Sequence, residues 1–448
     1  MTHANLPAHR GEVRAGSPTR SWWAEWAWLG GDEGAAAGVV LTEAGGLLAA
    51  VTPGVAAAPA GASVLRGVTL PGLVNGHSHA FHRALRGGAD GDDLWSWREA
   101  MYRVADALDP DLLLALARAC FAEMALAGVT EVHEFHYLHQ PPGMDDAVVE
   151  AARSAGVRLL LVDTCYLRAG FDGAGLDPVQ RRFSDGDVDT WAARAAAVAA
   201  RHPGVEVGAG IHSVRAVDAR SMEVVAGWAR ARGVPLHLHL SEHPAENAAC
   251  LAATGRTPAE LCGSAGVLGP GTTAVHATHV TARDIALLGG SGTAVCLCPT
   301  TERDLADGVG PAAALAGAGS PLRLGSDSNA VVDLFEEARA VELDERLVTG
   351  RRGLHCPDAL LSAAVGSRRL DVGAPADLVT LSLRSPRLAG FEPARAAAHL
   401  VFAATAADVE SVVVGGRTVV EDGAHRSVDV AAELETAIRR VRLAAAGG

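Results

Sequence analysis

Four short stretches of this chain place imidazoles and carboxylates at spacings that suit a single metal ion. His77-Ser78-His79 ends the apolar run Pro71-Gly72-Leu73-Val74-Asn75-Gly76. In a β-strand, residues i and i+2 share a face, so both rings can approach one ion. Downstream come His237-Leu238-His239-Leu240-Ser241-Glu242, then His276 with His279, then Gly325-Ser326-Asp327-Ser328. Neutral imidazole and carboxylate bind zinc at roughly 2.0–2.2 Å. Three imidazoles and one carboxylate drawn from these stretches would form a mononuclear site with room for a water, whose pKa such an ion lowers to ~7. An isolated His-x-His is a weak signal, and an Asp in Gly-Ser-Asp-Ser is an ordinary turn cap. The ordered set is far more informative than any member.

These residues need a frame that brings distant stretches together. From Trp22 to about Thr69 the sequence runs in short β-like segments (Ala24–Leu29, Gly38–Thr42, Leu47–Val51) broken by Gly and Pro. Strand-like runs then alternate with Ala/Leu/Arg-rich helical stretches, the pattern of a parallel sheet and, with enough repeats, of a closed (β/α)8 TIM barrel. The first strand ends at His77 and His79. The others are expected at Val129–Phe135, Arg158–Asp163, Val205–Ile211, Val234–Leu240, Thr273–His276, Thr293–Leu297 and Leu322–Gly325. Asp109-Pro110 opens a helix to about Ala127 with Gly128 as its stop; Trp191–Arg201 and Leu334–Leu347 are also expected to be helical. After Gly366 the texture returns to β: Ala376–Leu381, then Val409–Val414 and Arg417–Val420 joined by Gly415-Gly416. The expected architecture is therefore α/β: a barrel over residues 71–366 beside a smaller composite β-sandwich built from 1–70 and 367–448. In such barrels chemistry sits at the C-terminal strand ends, where all four stretches fall.

Composition narrows the partners. At 448 residues, 49% hydrophobic and 20% charged, the chain is globular and too long for one ordinary core. Its formal net charge of −14 argues against nucleic acid or an acidic membrane surface. An anionic substrate would need local arginines. All 38 basic Lys+Arg residues are arginine, so no lysine carbamate can bridge two metals and no Schiff base can form. Seven cysteines, an odd and scattered number, fit reduced thiols in the cytoplasm. Met1–Arg20 lacks the apolar core of a secretory signal, and no clean 20-residue apolar span occurs elsewhere, so a soluble, cytoplasmic protein is expected. Cys296-Leu297-Cys298 reads as small hydrophobic residues of a buried strand. His133, His136 and His139 alternate faces and should not share an ion; Trp95 and Trp97 read as packing.

Taken together, the His-x-His after Pro-Gly, the His-Leu-Ser-Glu, the sixth-strand His, the eighth-strand Asp and Gly373-Ala374-Pro375-Ala376-Asp377-Leu378-Val379 resemble the amidohydrolase superfamily over most of the chain. More particular stretches resemble the branch of that superfamily that acts on N-formimino-L-glutamate. They are His77-Ser78-His79-Ala80-Phe81, Trp95-Ser96-Trp97-Arg98-Glu99-Ala100-Met101-Tyr102, Glu134-Phe135-His136-Tyr137-Leu138-His139 and Gln180-Arg181-Arg182-Phe183. His212-Ser213-Val214-Arg215-Ala216-Val217, Val275-His276-Ala277-Thr278-His279 and Thr301-Glu302-Arg303-Asp304-Leu305-Ala306-Asp307-Gly308 extend the likeness.

The resemblance implies one zinc ion per chain on His77, His79, His239 and Asp327. His239 is preferred to His237 because the family ligand lies three residues before the Glu. It implies Glu242 and His276, with Asp327, as the proton-handling groups, and His82, Arg98, Tyr137, His212 and Arg215 as substrate contacts. The implied reaction converts N-formimino-L-glutamate and water into N-formyl-L-glutamate and ammonia in histidine degradation. Two carboxylates on such a small anionic substrate suit the forked donors of arginine. Family members commonly carry Gln at the position of His82 and His at that of Asn329. The alternative within the superfamily is a deaminase of a nucleobase or related heterocycle. Neutral rings would leave the arginines without a partner, and only 4% of residues are aromatic. A non-catalytic barrel should have lost a ligand or Glu242, and none is lost. Dimers are common among the proteins it resembles, so a homodimer is expected.

Overall fold

The computed structural model describes residues 20–88 and 94–447, without the side chains of Leu94 and Trp95; residues 1–19 of the expected N-terminal part of the sandwich and the packing of Trp95 lie outside the described residues. Eight parallel strands pair in sequence order: Leu73–Ser78, Val129–His136, Arg158–Cys165, Glu206–Ile211, Leu236–Leu240, Thr272–His276, Ala294–Leu297 and Leu322–Leu324. They are the eight expected strands, with ends shifted by at most two residues. Helices connect them, so the chain forms a (β/α)8 barrel.

Local chemistry explains the helix ends. The Asp109 carboxylate accepts the Leu112 N–H at 2.8 Å, capping a helix over Pro110–Leu126. Asp187 and Asp218 cap Val188–Arg201 and Ala219–Arg232 in the same way. Each such cap contributes about 1 kcal/mol. Gly128, at φ +91°, then turns the chain from helix into the second strand, a conformation other residues adopt at a cost.

The barrel closes at one end only. Its eighth and first strands meet at a bridge between Ser78 and Asp327. The Asp327 N–H donates to the His77 carbonyl at 3.0 Å, and the His79 N–H donates to the Asp327 carbonyl at 2.9 Å. Asn75 adds two more ties: its amide donates to Ser326 Oγ at 2.7 Å, and its carbonyl oxygen accepts the Ser326 N–H at 3.0 Å.

The flanking strands form one eight-stranded sheet that joins strands from before and after the barrel. In order across the sheet these are residues 424–425, 417–421, 409–414, 378–381, 63–71, 20–28, 35–44 and 47–52. The sheet curls, so that the strand starting at Leu47 bridges Pro375 beside the sheet's centre. A small core of its own, including Trp22, Leu41, Leu65, Leu378 and Val413, fills the space between the layers. This is the composite sandwich. Its strand Ser63–Pro71 continues into the first barrel strand through Gly72 alone. A side chain there would lie 2.1 Å from Thr130 Oγ1. The C-terminal helix Val430–Gly447 lies against the barrel, where Glu433 pairs with Arg118 at 2.7 Å and Arg442 donates to the carbonyls of Ala84 and Arg86. Among the described residues, no helix is long and apolar enough to cross a membrane.

Candidate active site

Three imidazoles and a carboxylate converge at the closed end of the barrel. The ligand atoms of His77, His79, His239 and Asp327 all lie within 4.8 Å of one another, and all four residues are buried. Asp327 Oδ1 is 3.3 Å from His77 Nε2 and 3.4 Å from His79 Nε2. His239 Nε2 is 3.1 Å from His77 Nε2 and 3.3 Å from His79 Nε2.

Their protonation follows from the second nitrogen. His79 Nδ1 lies 2.9 Å from the Phe135 carbonyl, and His239 Nδ1 lies 2.9 Å from the His212 carbonyl. A carbonyl only accepts, so both Nδ1 atoms carry the proton and both Nε2 atoms present bare lone pairs. Burial first, then neighbouring imidazoles, holds the pKa of His77 and His79 well below the usual histidine range and that of His239 at about 3. Bare nitrogen lone pairs 3.3 Å apart repel; a cation between them removes the conflict. The residues present fit a divalent metal ion.

The backbone is forced to aim these groups. Ser241, His276, Ala277, Asp327 and Asn329 all have positive φ, between 43° and 70°, at the ends of the fifth, sixth and eighth strands. Each such residue costs of order 1–3 kcal/mol and persists only where its surroundings hold it. Asn329 shows how. Its amide nitrogen donates to Ser78 Oγ (3.2 Å), the His79 carbonyl (3.0 Å) and the Asp327 carbonyl (3.2 Å). Its side-chain oxygen accepts from Ser326 Oγ at 2.7 Å. Arg86, itself paired with Glu123 at 2.8 Å, donates to the Asn329 carbonyl.

Beside the donor set, His276 is surrounded by acids. Its Nε2 is 3.7 Å from Glu242 Oε1 and 3.9 Å from Asp327 Oδ2, and its Nδ1 is 3.4 Å from Glu302 Oε1. Burial opposes its charge, but Glu242, Glu302 and Asp327 together raise its pKa well above the ordinary value. Glu302 was visible in the sequence only as part of a motif. It also accepts the Cys298 N–H at 3.0 Å, fixing the turn after the seventh strand. The Cys298 sulfur joins His276 and Asp327 in a second trio within 4.8 Å, although the residue packs among Val275 and Cys296. Its thiol pKa is raised, chiefly by burial. His237 points deeper, against His133 at 5.4 Å between ring centres, and stands apart from the donor set.

A cavity of about 400 Å³ opens above these groups, a volume suited to a small molecule. Glu242, His276 and Asp327 line its floor together with His79 and His239, and His82, Arg98, Tyr137, His212 and Arg215 line its walls. His77 lies beneath, fully buried. His82 Nε2 meets the Tyr137 hydroxyl at 2.9 Å. The Tyr102 hydroxyl accepts from Arg98 at 2.6 and 3.0 Å and from Gln180 at 3.2 Å. Trp97, Tyr102, Tyr137, Tyr166 and Phe183 also line the cavity, including all three tyrosines of the chain. The aromatic fraction of the whole chain therefore understates the site, because these side chains come from the three connections that follow the first, second and third barrel strands.

A profile of the amidohydrolase family matches residues 68–419, and the chain belongs to that family. It is 34% identical over 418 residues to the formimidoylglutamate deiminase of Pseudomonas aeruginosa, spanning 85% of this chain and 90% of that one. The 8-oxoguanine deaminase of the same organism is 34% identical over 390 residues, 82% of this chain and 85% of the other. Among solved structures, an adenosine deaminase from Xanthomonas campestris with bound zinc superposes with a TM-score of 0.83 at 25% identity, covering 96% of this chain and 98% of that one.

Proposed function

We propose that the chain hydrolyses N-formimino-L-glutamate to N-formyl-L-glutamate and ammonia, with one zinc ion held by His77, His79, His239 and Asp327. The observation that carries this reading is that Arg98 and Arg215 share one cavity with the donor set and with Glu242 and His276. Two cations suit the two carboxylates of a glutamate derivative, and a neutral ring offers them nothing.

An ion in the four-donor site supplies Lewis-acid activation of water at neutral pH. The protein's own groups do the rest. Glu242, on the cavity floor, takes a proton from that water and passes it to the departing nitrogen, since ammonia leaves far more readily than amide anion. His276, kept charged by its three acidic neighbours, donates toward the reacting centre. Attack on the formimino carbon gives a tetrahedral centre bearing two nitrogens, and the one that is protonated leaves. With the arginines holding the glutamate part outward, the small terminal nitrogen lies toward Glu242, which favours ammonia over formamide.

The test is product analysis by NMR. N-formyl-L-glutamate and ammonia are expected; formamide and glutamate as main products refute the reading. Arg98→Met and Arg215→Met should each keep their metal and lose roughly 2–4 kcal/mol in kcat/KM, the usual range for unpairing a charge. If both retain wild-type kcat/KM, the substrate is a different one.

A second reading, deamination of a nucleobase, draws on the five aromatic side chains. Their rings meet edge-on, Tyr137 against Phe183 at 90° and Tyr166 against Phe183 at 71°. The hydroxyls of Tyr102 and Tyr137 are engaged with Arg98 and His82. Such rings form a wall rather than parallel faces for stacking. Ammonia release from free nucleobases measures this alternative directly. The activity belongs to histidine degradation. Seven unpaired cysteines, six of them buried, support a reducing, cytoplasmic setting, and a homodimer is the proposed assembly.

A further inference from the structure

The stretch Gln180-Arg181-Arg182-Phe183 has no part in the reaction derived above, yet it ties the helix that carries Arg98 to other segments around the cavity. It forms one short helical turn in the connection after the third barrel strand. Gln180 is buried, and its side chain is held at both ends. Its amide oxygen accepts the Asp177 N–H at 3.0 Å, and Asp177 Oδ1 accepts the Gln180 N–H at 2.7 Å. A backbone N–H can only donate, so the amide NH2 is turned toward Tyr102, whose hydroxyl accepts from it at 3.2 Å. That hydroxyl also accepts from Nε and Nη2 of Arg98, at 3.0 and 2.6 Å, one turn back on the helix Leu94–Ala107. One edge of the guanidinium thus grips a single oxygen, and its plane follows where that oxygen sits. Arg182 works at the other end of the helix. Its guanidinium donates to the carbonyls of Ala105 and Leu108 and, at 2.8 and 3.0 Å, to that of Gln140. Its own carbonyl accepts the N–H groups of His139 and Gln140, each at 3.0 Å. A helix C-terminus leaves carbonyls unpaired and carries partial negative charge, which a guanidinium matches. Phe183 packs inward, its ring 6.0 Å from that of Tyr102.

We propose that Gln180 and Arg182 are positioning residues: they latch the helix Leu94–Ala107 to the connections after the second and third barrel strands and so aim Arg98 into the cavity. The inference rests on Arg98 as a substrate contact, the reading given above, and adds the groups that hold it in place. An arginine side chain is long and loses much rotamer freedom when it is fixed on a ligand. Holding it beforehand, through Tyr102, removes that cost from the binding step. Gln180 does this directly, by locating the oxygen that the guanidinium grips. Arg182 does it at one remove, by locating the helix from which both Arg98 and Tyr102 project. Neither is among the described residues that line the cavity, so both act through others. The metal donors, Glu242 and His276 lie at strand ends, and none of the latch's hydrogen bonds reaches them. Loss of the latch should therefore weaken substrate binding and leave the chemical step nearly intact.

The test uses zinc-loaded full-length protein and two measurements. Gln180→Met removes the donor and keeps the length of the side chain. It should raise KM for N-formimino-L-glutamate about three- to tenfold, with kcat within about twofold of wild type. In an Arg98→Met background the same substitution should change KM by less than about twofold, because the group it positions is gone. Additive effects of the two substitutions would overturn the proposal, as would a wild-type KM in Gln180→Met. Loss of zinc or of cooperative unfolding in Gln180→Met would make the residue structural and overturn it equally. The second measurement needs no substrate. Amide hydrogen exchange over residues 94–107 should be about tenfold or more faster in Arg182→Met than in wild type, with the barrel strands unchanged. Arg182→Lys, which keeps a charged donor, should recover part of that protection. Wild-type exchange in Arg182→Met would overturn the latch, and so would a rise spread over the whole barrel. If wild type fails to turn over N-formimino-L-glutamate, the substrate reading falls, yet the exchange rates still decide whether this turn holds the helix.

Discussion

His239→Ala is expected to lose its ion and its turnover together, while the barrel remains folded. The donors are four, from the first, fifth and eighth strand ends, and the absence of any lysine removes the carbamate that would bridge a second metal. Taking away one imidazole leaves three donors and opens the site to water. Loss of an outer-shell partner of a metal ligand typically costs 10–100-fold, so loss of the ligand itself should exceed ~10²-fold. Elemental analysis after dialysis should give close to one divalent ion per wild-type chain and well below one for the variant. Zinc added back should restore chelator-treated wild type but not His239→Ala. Two ions per active chain, or an active ion-free variant, would disprove this arrangement.

The second large effect belongs to Glu242→Gln. The amide keeps the shape of the side chain beside His276 and cannot carry a proton. Because Glu242 is not among the four donors, the variant should retain its ion and bind substrate with a KM near wild type. Its kcat should fall on the order of 10²-fold or more, the usual cost of a lost proton-transfer group. A fall in metal content matching the fall in kcat would assign Glu242 to metal retention instead. Removing Glu242 also removes one of the three carboxylates that raise the His276 pKa, so His276 should lose its proton at lower pH and the basic limb of the kcat profile should move to lower pH in the variant.

What could be read from the chain without its structure was whatever depends on local periodicity. The two-residue spacing of His77 and His79 shows on a strand of any barrel, and Asp109-Pro110 marks its helix start because a cap bonds only three residues ahead. The alternation of strand and helix located every barrel strand, even Leu322–Leu324, which is only three residues long. Features set by chain folding between distant positions were not legible. The aromatic wall is drawn from residues between 97 and 183, and no window of sequence shows it. Asn329 stood out only as a departure from a family pattern; its bonds to Ser78, His79 and Asp327 exist because a positive φ turns it back toward the first strand. Glu302 acquires meaning only through what lies opposite it, His276.

The one-ended closure of the barrel carries a thermodynamic consequence. Asp327 supplies a carboxylate to the donor set while its own backbone N–H and carbonyl stitch the eighth strand to the first. Filling the donor set and fastening that seam are therefore linked equilibria: any free energy gained at the carboxylate opposes opening of the seam by the same amount. The stretches 73–80 and 322–329 should behave as one cooperative opening unit, slow in amide hydrogen exchange when the ion is bound and much faster after chelation, while the sandwich strands exchange at rates indifferent to the metal.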